Sequence, residues 1–352
     1  MSFLFNVLMF VLVMGIIVLI HELGHLLAAK KFGVYCKEFA IGMGPTLWKV
    51  KKPHWETTYS IRALPLGGFV SMAGEPGEED MNVPLERTMK GIKNWQKLIV
   101  ILAGVTMNFI LAFLIFWGLF SYHGTVDSPK PVIASVQEGY PAETAGLLPG
   151  DHIIELKFSD GTVVKPKTFQ DILVGVTTYE GREMTVTVDR EGTIESVQLS
   201  PQKIVENDQV RYVIGIVAEP GEYRSLSILE AIPVAWSQMM FLIQQLVFLL
   251  ARLVKGIGLS SVGGPISIFK VTSEIRNSGF TFFLNLVAAL SLNLAVINLV
   301  PIPIMDGGRA VLIIIESIIR RPIPEKLENV IMFIGLAIMV LLFVFIMIND
   351  LT

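Results

Sequence analysis

Apolar residues fall along this chain in long uninterrupted blocks rather than in the short rhythm of a soluble fold. The first block runs from Phe3 to Ile20 and resumes at Leu26–Ala29. Others cover Leu98–Phe120, Ala231–Leu253, Phe282–Pro301 and Val330–Ile348. About 20 apolar residues cross a bilayer core, so each block predicts a long helix. Segment 121–226 is the only long polar stretch, and there apolar and polar residues alternate. Strands are expected at Pro131–Val136, Asp151–Leu156, Glu183–Asp189 and Thr193–Leu199, with a helical patch at Thr168–Val176 and Gly and Asp residues marking turns. The expected fold class is a polytopic α-helical membrane protein with an inserted small β-rich domain.

Composition supports this. Hydrophobic residues make up 52% and charged residues 17%, with mean hydropathy +0.61, whereas soluble domains carry about 25% charged residues. That apolar content excludes disorder, and one Cys excludes a disulfide scaffold. A net charge of -3 offers no footprint for nucleic acid. A cleaved signal peptide is the rival reading of the first block. No Lys or Arg precedes Lys30, however, and the block exceeds a usual signal core, so an uncleaved span is expected.

Orientation follows from basic residues. None stands before Lys30, while eleven lie between Lys30 and Lys97. That loop is expected in the cytoplasm, the first helix running from outside to inside and the segment after Phe120 emerging outside. Cys36 then sits on the reducing side. The division expected is helix 1 (1–29), a cytoplasmic loop with a membrane-associated β-hairpin (30–96), helix 2 (97–120), the β-rich domain (121–203), and an extracytoplasmic connector (204–281). Helix 3 (282–302), a cytoplasmic loop (303–328) and helix 4 (329–348) follow.

At the end of the first block stands His21-Glu22-Leu23-Gly24-His25. On a helix, residues four apart share a face about 6 Å apart along the axis, so two imidazoles can grip one zinc ion. Glu22, turned about 100° from His21, can serve as a base without ligating. Zinc lowers the pKa of a coordinated water to about 7. The bland alternative is a chance pattern on a helix end. Acidic groups at mid-membrane cost about 2.5–3.5 kcal/mol on insertion scales and rarely persist there without a partner, which a metal would supply.

A catalytic zinc needs a third protein ligand. Asp306, in Asn298-Leu299-Val300-Pro301-Ile302-Pro303-Ile304-Met305-Asp306-Gly307-Gly308, follows an apolar block directly. Its prolines break the helix and its glycines let backbone approach closely. Alone, an aspartate capping the next helix would be the simpler account. Beside an incomplete zinc sphere, the ligand reading is preferred.

These two stretches resemble the signatures of site-2 proteases, zinc metalloproteases that cut within membranes. The similarity extends to Ile41-Gly42-Met43-Gly44-Pro45, Gly67-Gly68-Phe69-Val70, Gly104 with Asn108, and Ser261–Pro265. The order of parts is similar to the bacterial branch that includes the regulator-of-sigma-E protease. The resemblance implies that His21, His25 and Asp306 bind zinc, that Glu22 is the base, and that Asn298 lies beside substrate. It also implies substrates such as membrane-bound regulators of transcription and leftover signal peptides. Two departures stand out: Val105, where the family often has Pro, and Met305, where Leu is usual.

Gly139–Ala142, Ala145–Leu147 and Gly150–Ile154 resemble a PDZ domain, here single, whose sheet edge takes extended peptide. The alternative is a generic β domain. Thr57–Met72 reads as two short strands, and residues 67–71, including Gly67, Gly68, Phe69 and Val70, are expected to offer an edge to unwound substrate. A plain amphipathic hairpin on the bilayer fits equally. Asn298 could orient substrate or an oxyanion, and Asn108 could bond helix to helix. His54, His123 and His152 are expected in solvent, as is the acidic run Glu75–Asp80.

If Asp306 is to reach the depth of His21, helix 3 must also run inward. An even number of crossings must then separate residues 121 and 282. Segment 231–253, with Gln238, Gln244, Gln245 and Arg252, is therefore expected to lie along the outer leaflet, leaving four spans and both termini outside. Partners expected are single-pass membrane substrates, lipid and a peptide ligand of the PDZ-like domain, with no nucleic acid.

Overall fold

The computed structural model describes residues 2–75, 83–127, 129–179, 181–206, 209–254, 264–273, 275–321 and 323–351. The chain divides into two compact units, Met1–Tyr122 with Ser227–Thr352, and His123–Leu226.

The first unit opens with α1 (Ser2–Lys31). Lys30 and Lys31 complement the helix dipole in its last turn. Gly33, at φ 79°, turns the chain so that the Val34 N–H returns to the Ala29 carbonyl at 3.0 Å. Next come β1 (Cys36–Val50) and β2 (Thr58–Met72), antiparallel but bent. The far end of β1 pairs with the near end of β2, Trp48 facing Ile61 and Val50 facing Tyr59. Residues 39–41 pair on one side with Val70, Phe69 and Gly68, and on the other with Tyr59, Ser60 and Ile61. Residues 68–72 are therefore an outer arm. No strand among the described residues covers their far side. Helix α2 (Asn94–His123) follows.

The second unit begins with β3 (Thr125–Val126), β4 (Ile133–Val136), α3 (Pro141–Thr144), β5 (His152–Phe158), β6 (Val163–Val164), α4 (Phe169–Thr178), β7 (Met184–Arg190) and β8 (Thr193–Leu199). A four-stranded antiparallel sheet has the order β6-β5-β7-β8. Helix α4 starts in a capping box: Asp171 N–H donates to Thr168 Oγ1, and Thr168 N–H donates to Asp171 Oδ2 at 2.9 Å. Ile153, Leu156 and Val186 of the sheet bury against Ile172 of α4. Fully burying each such side chain contributes about 1.5–3 kcal/mol.

This unit does not stop at residue 203. β9 (Gln202–Glu206) and β10 (Gln209–Val213) pair with each other. β11 (Ile216–Ala218) returns to β4, and β12 (Tyr223–Arg224) returns to β3. Two or three residues carry too little alternation to mark such strands in a sequence.

The first unit resumes with α5 (Ala231–Val254), α6 (Pro265–Ser273), α7 (Ile275–Asn298), α8 (Asp306–Ile319) and α9 (Glu325–Leu351). Gly279, at φ 78°, kinks α7. The helices long and apolar enough to cross a membrane include Leu4–Lys31, Asn94–His123, Ala231–Ala251 and Ser278–Asn298. The third was expected to lie on the surface. Instead α5 buries Ala231, Ala235 and Met239, the last two in a cluster with Ala112 and Phe116 of α2 and Ala288 and Leu292 of α7. Trp117 Nε1 donates to the Ile228 carbonyl at 2.8 Å and Phe113 meets the Trp236 ring, so α5 descends antiparallel to α2. Small residues at the crossing allow this packing despite the glutamines. Residues 261–263 of the Ser261–Pro265 motif lie outside the described residues.

Candidate metal centre

Helix α1 delivers His21 and His25 to one face, their Nε2 atoms 3.3 Å apart, with 7% and 8% of each residue exposed. The acid comes from 281 residues farther on (306 less 25). Asp306 Oδ2 lies 3.3 Å from His21 Nε2 and 3.5 Å from His25 Nε2.

These separations test the site for a metal. Zinc bonds of about 2.0–2.2 Å in a tetrahedral arrangement hold ligand atoms about 3.4 Å apart. The three pairwise distances match that edge length. Asp306 Oδ2 is buried without a hydrogen bond, which a coordinated cation would resolve. The donor set therefore fits zinc and leaves a fourth position free.

The surrounding backbone makes room. A Cβ on Gly104 of α2 would collide with both imidazoles, and one on Gly24 of α1 would strike the Ala103 carbonyl. The two helices cross at these glycines. Behind Asp306, a Cβ on Gly307 would hit the Leu299 carbonyl and one on Gly308 the Ile302 carbonyl. The prolines end α7 and the glycines let the next turn fold beneath it, which aims Asp306 back at α1.

Oriented polar groups surround these side chains. His25 Nδ1 lies 2.9 Å from the Val100 carbonyl. A carbonyl only accepts, so the proton is on Nδ1 and Nε2 keeps a free lone pair. Asn108 Nδ2 is 3.3 Å from His21 Nδ1, and Asn298 Nδ2 is 3.3 Å from His21 Nε2. Asn298 thus aims its amide into the centre.

The remaining candidates divide. Glu22 packs against the outer arm of β2: a Cβ on Gly68 would stand 3.0 Å from its Cγ and 2.8 Å from Val18 Cγ1. Gly67, Phe69 and Val70 belong to the same strand: Gly67 and Phe69 face β1, Arg62 stands over the Phe69 ring, and Val70 pairs with Phe39. His54, His123 and His152 are exposed. Within the acidic run, residues 76–80 lie outside the described residues, and Glu75 does not belong in solvent. It forms a 2.8 Å ion pair with Arg309, one turn beyond Asp306. Burial pushes the Glu75 carboxyl above the usual range, against the opposing pull of Arg309. The pair lines a cavity of about 570 Å³ with Lys97, Ile313 and Glu328. Sequence reading missed Val100 and this ion pair. Gly104 and Asn108, four residues apart on one face of α2, were the available signal.

Comparison with known proteins now bears on this geometry. A model of peptidase family M50 matches residues 9–342. The chain is 28% identical over 425 residues to the zinc metalloprotease RasP of Bacillus licheniformis, covering 98% of both chains. It is 33% identical over 351 residues to a protein of Clostridium acetobutylicum provisionally named a zinc metalloprotease, covering 99% of this chain and 98% of that one. A similarly named protein of Clostridium perfringens is 34% identical over 336 residues, covering 95% of each.

Proposed function

The chain belongs to peptidase family M50 and is a multi-pass membrane zinc metalloprotease; from that premise we propose that it hydrolyses peptide bonds inside the transmembrane segments of single-pass membrane proteins. One observation carries this reading: three ligand atoms at zinc spacing, beside Glu22, are buried among helices of membrane-spanning length. His21, His25 and Asp306 hold the metal. Bound there, zinc supplies Lewis-acid polarisation.

The chain's own groups do the rest. Glu22 takes a proton from the attacking water and returns it to the leaving amine. The Asn298 amide donates to the developing oxyanion or to substrate backbone. A helical substrate hides its amides, so it must unwind before attack. The outer arm, Gly67, Gly68, Phe69 and Val70, pairs the freed backbone groups at an edge no described strand fills, and Gly68 brings that edge against Glu22.

The β-rich unit is PDZ-like and takes extended peptide at a sheet edge. Both termini and that unit lie outside the cell, and the metal centre lies near the cytoplasmic face. His21 meets Asn298 while α1 and α7 pack along Val13, Ile17 and Val287, which supports parallel α1 and α7. Helix α5, antiparallel to α2, sets out from the same outer side as α7. By family resemblance the substrates are anti-sigma-factor-like regulators and remnant signal peptides.

The test is Glu22→Gln, assayed on a panel of single-span substrates with zinc measured in parallel. Zinc should stay at one per chain while cleavage falls by about 10²–10⁴-fold. Undiminished turnover would refute the role of Glu22. Cleavage confined to soluble peptides would refute the membrane-segment substrate.

A further inference from the structure

Asn108 is buried completely, yet its Oδ1 has no partner, while Nδ2 stands 3.3 Å from His21 Nδ1. The backbone there is anchored, Ser291 Oγ donating to the Asn108 carbonyl at 3.0 Å. An amide N–H donating to Nδ1 would place the lone pair of a neutral His21 on Nδ1 and its proton on Nε2. That proton would point at His25 Nε2 and Asp306, where a ligand must present a bare nitrogen.

The two ends of an asparagine amide are isosteric, and a half-turn exchanges them. Exchange gives Oδ1 a donor and takes the proton off His21 Nε2, which also suits the Asn298 amide 3.3 Å from that nitrogen, while Nδ2 takes the position in which Oδ1 had no donor. We infer that Asn108 presents its Oδ1 to the Nδ1–H of His21, fixing the tautomer in which Nε2 binds zinc. Asn108 is then a positioning residue acting through His21. Val100 does the same for His25 with its carbonyl. Both imidazoles meet an oxygen on the far side of the ring, both from α2, four residues either side of Gly104. Such acceptors orient the ring and raise its basicity.

This inference rests on His21 being a metal ligand, and the experiment separates the two. Zinc affinity is measured by chelator competition on the full-length protein in detergent, for wild type, His21→Ala, Asn108→Leu and Asn108→Asp. Asn108→Leu, similar in volume but without an acceptor, should weaken binding about 10- to 100-fold. Asn108→Asp keeps an acceptor and has no amide N–H, so it should bind at least as tightly as wild type. Equal loss in both variants, or none in Asn108→Leu, overturns the inference. Retention of zinc by His21→Ala overturns the ligand assignment as well. Nitrogen-15 spectra of histidine-labelled, zinc-loaded wild-type protein give a readout independent of variant folding. Nδ1 of His21 should carry the proton, and an unprotonated Nδ1 there refutes the proposal.

Discussion

The two units of this protein differ in what they bury and what they expose. In His123–Leu226 the core is apolar, with Ile153, Leu156 and Ile172 fully buried, and the buried acid Asp151 is answered by Arg190 at 2.7 Å. In the helical unit, Leu4, Phe333 and Leu341 are each at least 70% exposed, while His21, His25, Asn108 and Ser291 are buried. Water stabilises the first arrangement by expelling apolar surface. Lipid is as apolar as leucine and provides no such drive, so the helices meet by close packing, in which glycine, alanine and polar contacts stand beside the larger apolar side chains. A bundle of this kind can keep a metal and its base dry and oriented where a water-driven core would exclude them.

The sharpest break of that contrast is at the metal. His25→Ala should abolish stoichiometric zinc, read by elemental analysis, and leave amide exchange in His123–Leu226 unchanged. A parallel loss of protection there would mean that the β-rich unit depends on the buried polar centre.

Core truncation comes next. Ile153→Ala should destabilise the β-rich unit by about 2–5 kcal/mol. Leu341→Ala, on an exposed face of α9, should cost under about 1 kcal/mol in a bilayer-mimetic detergent. Equal losses in thermal or denaturant unfolding would erase the distinction between the two solvents.

Glycines on α2 offer a finer comparison. Gly104→Ala drives a methyl into both imidazoles and should lower zinc affinity by about 10- to 100-fold, comparable to losing an orienting contact. Gly118→Ala, with open space around it on the same helix, should leave zinc affinity untouched and stabilise the helix by about 0.5–1 kcal/mol. Equal zinc affinities in the two variants would remove the close-approach argument.

The smallest effect concerns acid. The Arg190 guanidinium holds the Asp151 carboxyl below the usual carboxylate range. A depressed folded-state value means that this contribution is present above the unfolded pKa of about 3.9 and is lost as pH falls through the lower folded value. Amide protection of the β-rich unit should therefore decline with acid below that pH. Arg190→Met should flatten that part of the profile, and an unchanged slope would show that the pair contributes nothing.

Chain-local patterns made half of this protein legible. The five apolar blocks, and two histidines one helical turn apart with a glutamate between them, can be read directly because their spacing is set by covalent geometry and helix pitch. Asp306 was legible as chemistry, an acid after a broken span, but its partners were not named by any local pattern. The eye alone would have put Glu75 in solvent, yet it pairs with Arg309 from a distant helix. The glutamines of α5 argued for a surface, while its small residues pack into the bundle.

The sequence by itself determined a membrane-embedded chain with an HExxH helix, because hydropathy and i, i+4 spacing need no knowledge of neighbours. Only the tertiary structure decided which oxygen faces each imidazole, where α5 packs, and that the β-rich unit closes with strands as late as Tyr223–Arg224. Those outcomes depend on how close two backbones can come and on which buried polar atoms find partners, and both are set by residues far apart in the chain.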